Sequence, residues 1–241
     1  MTREARLDLE RRRRLGMVEA VWGEHKSADQ ISAVIAALAE AGEQALVTRV
    51  DTEKAAAVLA ALPDLPVRHH HQSRCLICPD PPAADPHLGR VAILSGGTSD
   101  RVVAEEARLA LACHRVEAEL ILDVGVAGLH RLLARLDDLT SARVLIACAG
   151  MEGALPTVLA GLVPQPVIGV PVAVGYGVSA GGKAALHGML ASCAPGLTVV
   201  NIDNGYGAAM AALRILQGAA WGGSGVPAVG SEAGGSISSS P

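Results

Sequence analysis

The chain has no phenylalanine, and only two tryptophans and two tyrosines, in 241 residues. It lacks the aromatic platform on which single-stranded bases stack, which argues against that mode of nucleic-acid binding. Charge is also sparse: charged residues make up 18% and the formal net charge is −4, so no broad basic face is expected. The one dense basic cluster, Arg11 to Arg14, lies among Glu4, Asp8 and Glu10. It reads as a solvated helix face, with phosphate binding as the alternative. No apolar run reaches the roughly 18 residues that span a bilayer, because Gly, Pro or a charge interrupts each one. The arginine-rich N-terminus has no apolar core of a secretory signal, and the expectation is a soluble, cytoplasmic protein with neither membrane nor nucleic acid as partner. Cys75, Cys78, Cys113, Cys148 and Cys193 form an odd set without framework spacing, as free thiols do. Cys75 and Cys78 have CxxC spacing near three histidines, but no second pair completes a metal site.

What the chain does have is aliphatic bulk. Half of it is hydrophobic, almost all Ala, Val, Leu and Ile, which suits helices packed tightly on a sheet. The length allows one full core and a smaller appended unit. Residues 1–74 read as that unit, a small α/β segment. It opens with two helices joined by "GEHKSADQ", where Ser27 and Gln30 form a capping box. A strand "ALVTRV", a helix "TEKAAAVLAAL" and a strand "PVRHHH" follow. Residues 75–90, with four prolines, read as a connector. Residues 91–217 are regular: five apolar runs, "RVAILSG", "AELILDVG", "ARVLIACAG", "PVIGVPV" and "LTVVNID", each precede a glycine-containing turn and a helix-compatible segment. This alternation predicts an α/β fold, a three-layer α/β/α arrangement around a mostly parallel five-stranded sheet. Residues 218–241, rich in Gly, Ser and Pro, are expected to be disordered.

Open α/β sheets bind ligands beyond the C-terminal ends of their strands. Polar and glycine residues collect there: "SGGTSD" after the first strand, "DVGVAGLHR" after the second, "AGMEGALP" after the third, "PVAVGYGVSAGGK" after the fourth and "NIDNGYG" after the fifth. "SGGTSD" carries neither a G-x-G-x-x-G fingerprint nor a following G-K-[ST], so it is neither a Rossmann turn nor a P-loop. Ser95, Gly96, Gly97, Ser99 and Asp100 are therefore read as an anion cradle at a helix start. The plainer reading is a turn in which Thr98 or Ser99 only caps the helix. Gly150, Gly153, Gly175, Gly177, Lys183, Asn204 and Gly205 are assigned to substrate binding on the same positional ground. For Lys183 a surface role is equally open.

Taken together, "SGGTSD", "DVGVAGLHRLL", "AGMEGALPTVLAGL" and the stretch from "PVIGVPV" to "NIDNGYGAA", with "GEHKSADQI" and "VTR" upstream, resemble the LarB family of pyridinium-3,5-biscarboxylic acid mononucleotide synthases. That family's C-terminal domain is similar to the class I phosphoribosylaminoimidazole carboxylases and mutases. "RHHHQSR" departs from the family's junction, where a tyrosine and an Ala-Arg pair are expected, and the proline-rich connector is longer. The resemblance implies carboxylation of the pyridinium ring of nicotinic acid adenine dinucleotide with CO2 or bicarbonate and hydrolysis of its phosphoanhydride, serving nickel-pincer cofactor synthesis. It also implies Mg2+, no organic cofactor, and a homo-oligomer, an octamer. Asp100, Asp123 and Asp203, at or near strand ends, are the acidic candidates for Mg2+ or for orienting water, and the metal's ligands stay open.

An electron-poor pyridinium does not attack CO2 until a nucleophile adds to it, and a thiolate both adds and leaves readily. Cys193, in the family-like "SCAPG", is the candidate nucleophile, and Glu152, in "GMEGALP", the candidate base for the ring proton, with helix capping as its alternative. Asp123 and His130 complete the expected catalytic set, His130 by position relative to the purine carboxylases, a solvent-facing helix histidine being the alternative. Cys193 falls near a helix C-terminus, which disfavours an anion. A bound ring cation about 4 Å away would offset this by up to about 4 kcal/mol at an effective dielectric of about 20. Cys113 and Cys148 read as packing residues. Two other functions stand beside this one: an aminoimidazole ribonucleotide carboxylase or mutase, which needs no thiol because its ring is already electron-rich, and a nucleotide-binding module without catalysis.

Overall fold

A computed structural model describes residues 6–220. A short helix α1 (Arg11–Leu15) closes on Gly16 and leads into strand β1 (Ala20–Trp22). A strand thus stands where sequence suggested continuous helix and linker, because "AVW" pairs in parallel with β2 (Ala45–Thr48). Between them lies α2 (Ala28–Glu40), opened by the expected box: Gln30 N–H donates to Ser27 Oγ at 3.2 Å and Ser27 N–H to Gln30 Oε1 at 3.0 Å. Ile31, Val34, Ile35 and Leu38 bury its apolar stripe, spaced as a one-faced helix demands. Helix α3 (Thr52–Ala61), capped by Asp51, and strand β3 (Arg68–His70) follow.

The expected connector starts too early. Cys75–Cys78 is strand β4, hydrogen-bonded to both β2 and β3, so the sheet runs β1-β2-β4-β3. All four of its residues are buried. The prolines that suggested a linker begin only at Pro79, since a proline has no N–H for an interior ladder. Leu46, Cys75 and Ile77 face a core shared with the second sheet, whereas Val47, Leu76 and Cys78 face α2 and α3.

The second sheet is parallel throughout, in the order β6-β5-β7-β8-β9: β5 (Arg90–Ser95), β6 (Glu117–Ile121), β7 (Ala142–Ala149), β8 (Val167–Pro171) and β9 (Leu197–Val199). The chain steps from β5 outward to β6, then returns across β5 to β7. That reversal puts the topological switch, and the crevice it opens, at the C-terminal end of β5. Helices α4 (Arg101–Cys113) and α8 (Gly205–Ala220) cover one face. Helices α6 (Ala154–Ala160) and α7 (Lys183–Leu190) cover the other, and α5 (Leu129–Leu133) adds Leu132 to that core. Gly218 to Ala220, expected in the disordered tail, form the last turn of α8; positions 221–241 lie outside the described residues.

Helix α4 is buried on both sides, with Ala104, Ala107 and Ala110 in contact with the core of the two sheets. Gly205, assigned to substrate from its strand-end position, packs against this helix. A Cβ there would sit 2.4 Å from the Val103 carbonyl oxygen, so α8 reaches α4 only because the position is glycine. Gly205→Ala should therefore cost about 1–3 kcal/mol through overpacking. Urea unfolding checks this, and a midpoint equal to that of the unmodified chain would contradict it.

Candidate active site

Four strand ends converge on a cavity of about 280 Å3, lined by Gly96, Gly97, Ser99 and Asp100 after β5, Gly125 to Ala127 after β6, Gly150 to Glu152 after β7, and Val174 after β8. The turns interlock backbone to backbone. A Cβ on Gly125 would lie 2.4 Å from Gly96 O, and one on Gly150 would lie 2.2 Å from Val174 O. Glu152 is exposed at this cavity, and it does not cap α6: the N-cap is Gly153, with no side-chain bond to the helix. Gly153 instead has a φ of 69° and packs on the backbone of Ala185 in α7.

The cradle of "SGGTSD" is partly spent on itself. Gly96 N–H donates to Cys148 O at 2.9 Å, and Gly97 N–H donates to Asp100 Oδ2 at 2.8 Å. Asp100 is buried, with Gly97 N–H bonded to its carboxylate and the backbone N–H groups of Gly150 and Gly96 near enough to favour the charge. Burial still wins over these bonds and raises its pKa above the ordinary value. Asp100 is thus the internal brace of the turn as well as part of the cavity wall. Thr98 and Ser99, at the first positions of the helix, are exposed and have N–H groups with no intrahelical acceptor. Ser95 is fully buried and accepts a bond from Asp123 N–H at 3.1 Å, which ties two strand ends.

A second cavity, of about 380 Å3, shares Ser99 and Val174 with the first. Its remaining wall is drawn from both sheets: Glu24, Arg49, Ser73 and Arg74 from the N-terminal unit, Val102, Val103 and Glu106 from α4, and Val172, Ala173 and Asp203 beyond β8 and β9. Arg49 Nη2 donates to Asp203 O at 2.7 Å, while Asp203 Oδ1 accepts from Ala173 N–H at 2.8 Å. Glu106 Oε1 accepts from Tyr206 N–H at 2.9 Å. Arg49, Arg74 and Glu106 were not singled out from the sequence. "VTR" had been noticed, but nothing local says that two arginines 25 positions apart meet a glutamate from another unit.

The family can now be placed. Residues 1–80 match the LarB/PurE-like N-terminal domain and residues 90–220 match the AIR carboxylase domain. The uncharacterized protein MJ0165 of Methanocaldococcus jannaschii is 41% identical over 217 residues, covering 88% of this chain and 84% of that one. The chain belongs to the LarB family. Its carboxylase-type domain is also similar to N5-carboxyaminoimidazole ribonucleotide mutases, at 37% over 136 residues for the M. jannaschii protein (52% of this chain, 78% of that one). For the Pyrococcus abyssi protein it is 34% over 143 residues (54% and 75%).

In this LarB-family chain several residues picked from the sequence lie outside the lining of both cavities. Asp123 pairs with Arg131 at 2.5 Å, and His130 is exposed on α5. Asn204 caps α8, its Oδ1 accepting from Gly207 N–H at 2.8 Å. Lys183 is exposed at the start of α7. Gly175 and Gly177 shape the loop beyond Val174, where Gly175 lies against Ser179 O and Gly177 has a φ of 57°. Cys193 is exposed in the loop between α7 and β9; the neighbouring Ser192 accepts from Thr157 Oγ1 of α6 at 2.8 Å. Among the described residues no three His, Cys, Asp or Glu side chains gather as a metal site, and Asp100, Asp123 and Asp203 are each engaged elsewhere. No helix among them is long and apolar enough to cross a membrane.

Two expectations follow. Burial raises the Glu106 pKa above 4.5, although Tyr206 N–H, Arg49 and Arg74 pull it down and Asp203 pushes it up. The folded state therefore holds this proton more tightly than the unfolded chain. The associated stability is fully present below about pH 4.5 and is lost as pH rises through the raised value. Glu106→Gln keeps an acceptor for Tyr206 N–H and should gain stability over the parent as pH rises above 4.5. Parallel denaturant titrations from pH 4 to pH 8 read this, and a difference that stays flat would exclude it. Of the five thiols only Cys193 is exposed, and burial drives Cys75 and Cys113 up to about 12. A neutral-pH alkylating reagent should label one cysteine, Cys193, in the native chain and all five after unfolding, as peptide mapping would show.

Proposed function

We propose that the chain carboxylates the pyridinium ring of nicotinic acid adenine dinucleotide with CO2 or bicarbonate and hydrolyses the phosphoanhydride. The products are pyridinium-3,5-biscarboxylic acid mononucleotide and AMP, supplied to nickel-pincer cofactor synthesis. The observation that carries this reading is the pairing of a LarB/PurE-like N-terminal domain with a carboxylase-type domain in one chain, with two adjoining cavities built between and beside them.

In this reading the Cys193 thiolate adds to a ring carbon and turns the ring into an enamine. The nucleophilic enamine carbon forms a bond to CO2. Glu152 removes the hydrogen from that carbon, the C–S bond breaks with its electron pair returning to sulfur, and the aromatic cation is restored. Water separately cleaves the P–O–P bridge into two phosphomonoesters. Cys193 sits outside its own chain's cavity lining, but α7 packs Gly188 against the Glu152 backbone, which keeps the two residues' segments adjacent. Tyr176 and Val178, 78% and 96% exposed beside Val174, support a contact between copies at this loop, and the octamer is proposed from the family resemblance alone. The residues present offer no preformed Mg2+ site, so no step is assigned to the metal, and the CO2 or bicarbonate is a co-substrate.

The mutases' similarity to the carboxylase-type domain favours a second reading, action on a carboxyaminoimidazole ribonucleotide. One experiment separates the two. The chain is incubated with nicotinic acid adenine dinucleotide, bicarbonate and Mg2+, or in parallel with N5-carboxyaminoimidazole ribonucleotide, and products are read by mass spectrometry. AMP and a mononucleotide heavier by one carboxyl group should form only in the first tube. Conversion only in the second would replace the first reading with the mutase. Cys193→Ala should reduce carboxylation by at least about 1,000-fold while dinucleotide affinity stays within a few fold, as expected when a nucleophile is removed. Retained turnover would reject the thiolate role.

A further inference from the structure

The second cavity holds two arginines to which the chemistry above gives no task. Arg49 directly follows β2 and Arg74 directly precedes β4, and those strands pair antiparallel with Val47 opposite Leu76. Continuing that register by two residues sets Arg49 opposite Arg74, and the bond from Val50 N–H to Arg74 O at 2.8 Å holds the two turns together. Both arginines have left-handed backbones, with φ of 57° and 54°. Such a conformation is uncommon away from glycine, and at this cavity Asp203, with a φ of 54°, shares it. Like charges placed opposite each other at the end of a ladder repel unless something negative lies between them.

The carboxylates of the cavity do not take up this charge fully. Glu106 accepts from Tyr206 N–H and Asp203 from Ala173 N–H. Glu24 accepts from Trp22 Nε1 at 3.2 Å and lies 3.7 Å from Arg49 Nη1. Arg49 donates its other terminal nitrogen to Asp203 O. The guanidinium of Arg74 makes no side-chain hydrogen bond or close ion pair among the described residues, although it lies close enough to Glu106 to lower that group's pKa. An exposed, forked cation thus lines the second cavity. Both arginines belong to the LarB/PurE-like N-terminal domain, outside the stretch 90–220 that matches the carboxylase.

We propose that the second cavity binds a phosphate of the substrate's non-reacting, adenylate half, gripped by Arg74 and steadied by Arg49. Ser99, common to both cavities, then lies under the diphosphate, and the ring to be carboxylated occupies the first cavity. Arg74 supplies two parallel N–H donors to phosphate oxygens, a geometry that lysine cannot reproduce. The N-terminal unit thereby turns a mononucleotide site into a dinucleotide site. This inference rests on the dinucleotide reading of the function, and its test is a binding measurement that needs no turnover.

Isothermal titration of the full chain with AMP, and separately with nicotinic acid mononucleotide, provides that test. Arg74→Gln should weaken AMP by about 10- to 100-fold, the range for a lost charge-assisted bond, with Arg74→Lys intermediate. Affinity for the nicotinate mononucleotide and the thermal midpoint should not change, because the Arg74 side chain makes no bond that holds the fold. The proposal is overturned if AMP fails to bind the unmodified chain at millimolar concentration, if Arg74→Gln binds AMP as well as the parent, or if both ligands weaken equally. Arg74-dependent AMP binding without any carboxylation would sustain this site while removing the proposed reaction. Carboxylation with AMP binding indifferent to Arg74 would do the reverse.

Discussion

Burial of α4 between two sheets is the constraint from which the rest of the structure follows. The four-stranded sheet presents Leu46, Cys75 and Ile77 to one side of the helix, and the five-stranded sheet presents Val91, Ile93 and Val144 within the same core. A helix enclosed this way must be narrow where it is squeezed, and Ala104, Ala107 and Ala110 make it so. Its polar residues must also find partners, because an unpaired buried charge would outweigh much of the packing gain. Glu105 is bracketed by Arg101 and Arg108, at 3.2 and 2.8 Å, and Glu106 accepts a backbone N–H from α8. At the helix C-terminus His114 accepts from Val18 N–H at 3.0 Å, which fastens the N-terminal segment to the same element.

Both cavities are consequences of how that helix is held. Its N-terminus emerges at the switch point of the parallel sheet, where the first cavity lies, and its flank forms the floor of the second. Fixing α4 therefore fixes the distance between a site formed by glycine turns and a site formed by arginines. The glycines of the first site do less anion binding than their number suggests. Gly125 and Gly150 let one backbone lie on another, and Asp100 takes the Gly97 donor of its own turn to keep the assembly closed. A braced turn of this kind presents Thr98 and Ser99 in one orientation, which a flexible glycine loop could not do.

The alternation of apolar runs, glycine turns and helix-compatible segments after Val91 carried the five-stranded domain legibly, because strands covered on both faces are apolar throughout. The capping box at Ser27 was equally legible, since its geometry depends on four consecutive residues. What failed was local ambiguity in short elements. "AVW" and "CLIC" are too brief for a period to show, and each is a strand only because β2 lies between them with its hydrogen bonds open on both edges. Asn204, Gly205 and Ser95 follow the rule that strand ends gather functional residues, yet they serve as cap, close contact and tie. Position along a strand does not say which way a side chain turns.

Amino-acid order by itself determined the layer architecture, the capped helix and the family, all of which rest on contiguous or regularly spaced residues. Only the tertiary structure decided that Asp100 faces inward to its own turn, that Cys193 lies outside the lining of both cavities described above, and that Arg49, Arg74 and Glu106 share a wall. Those are contacts between segments far apart in the chain. They arise when two sheets close on one helix, and no local pattern encodes where that closure brings them together.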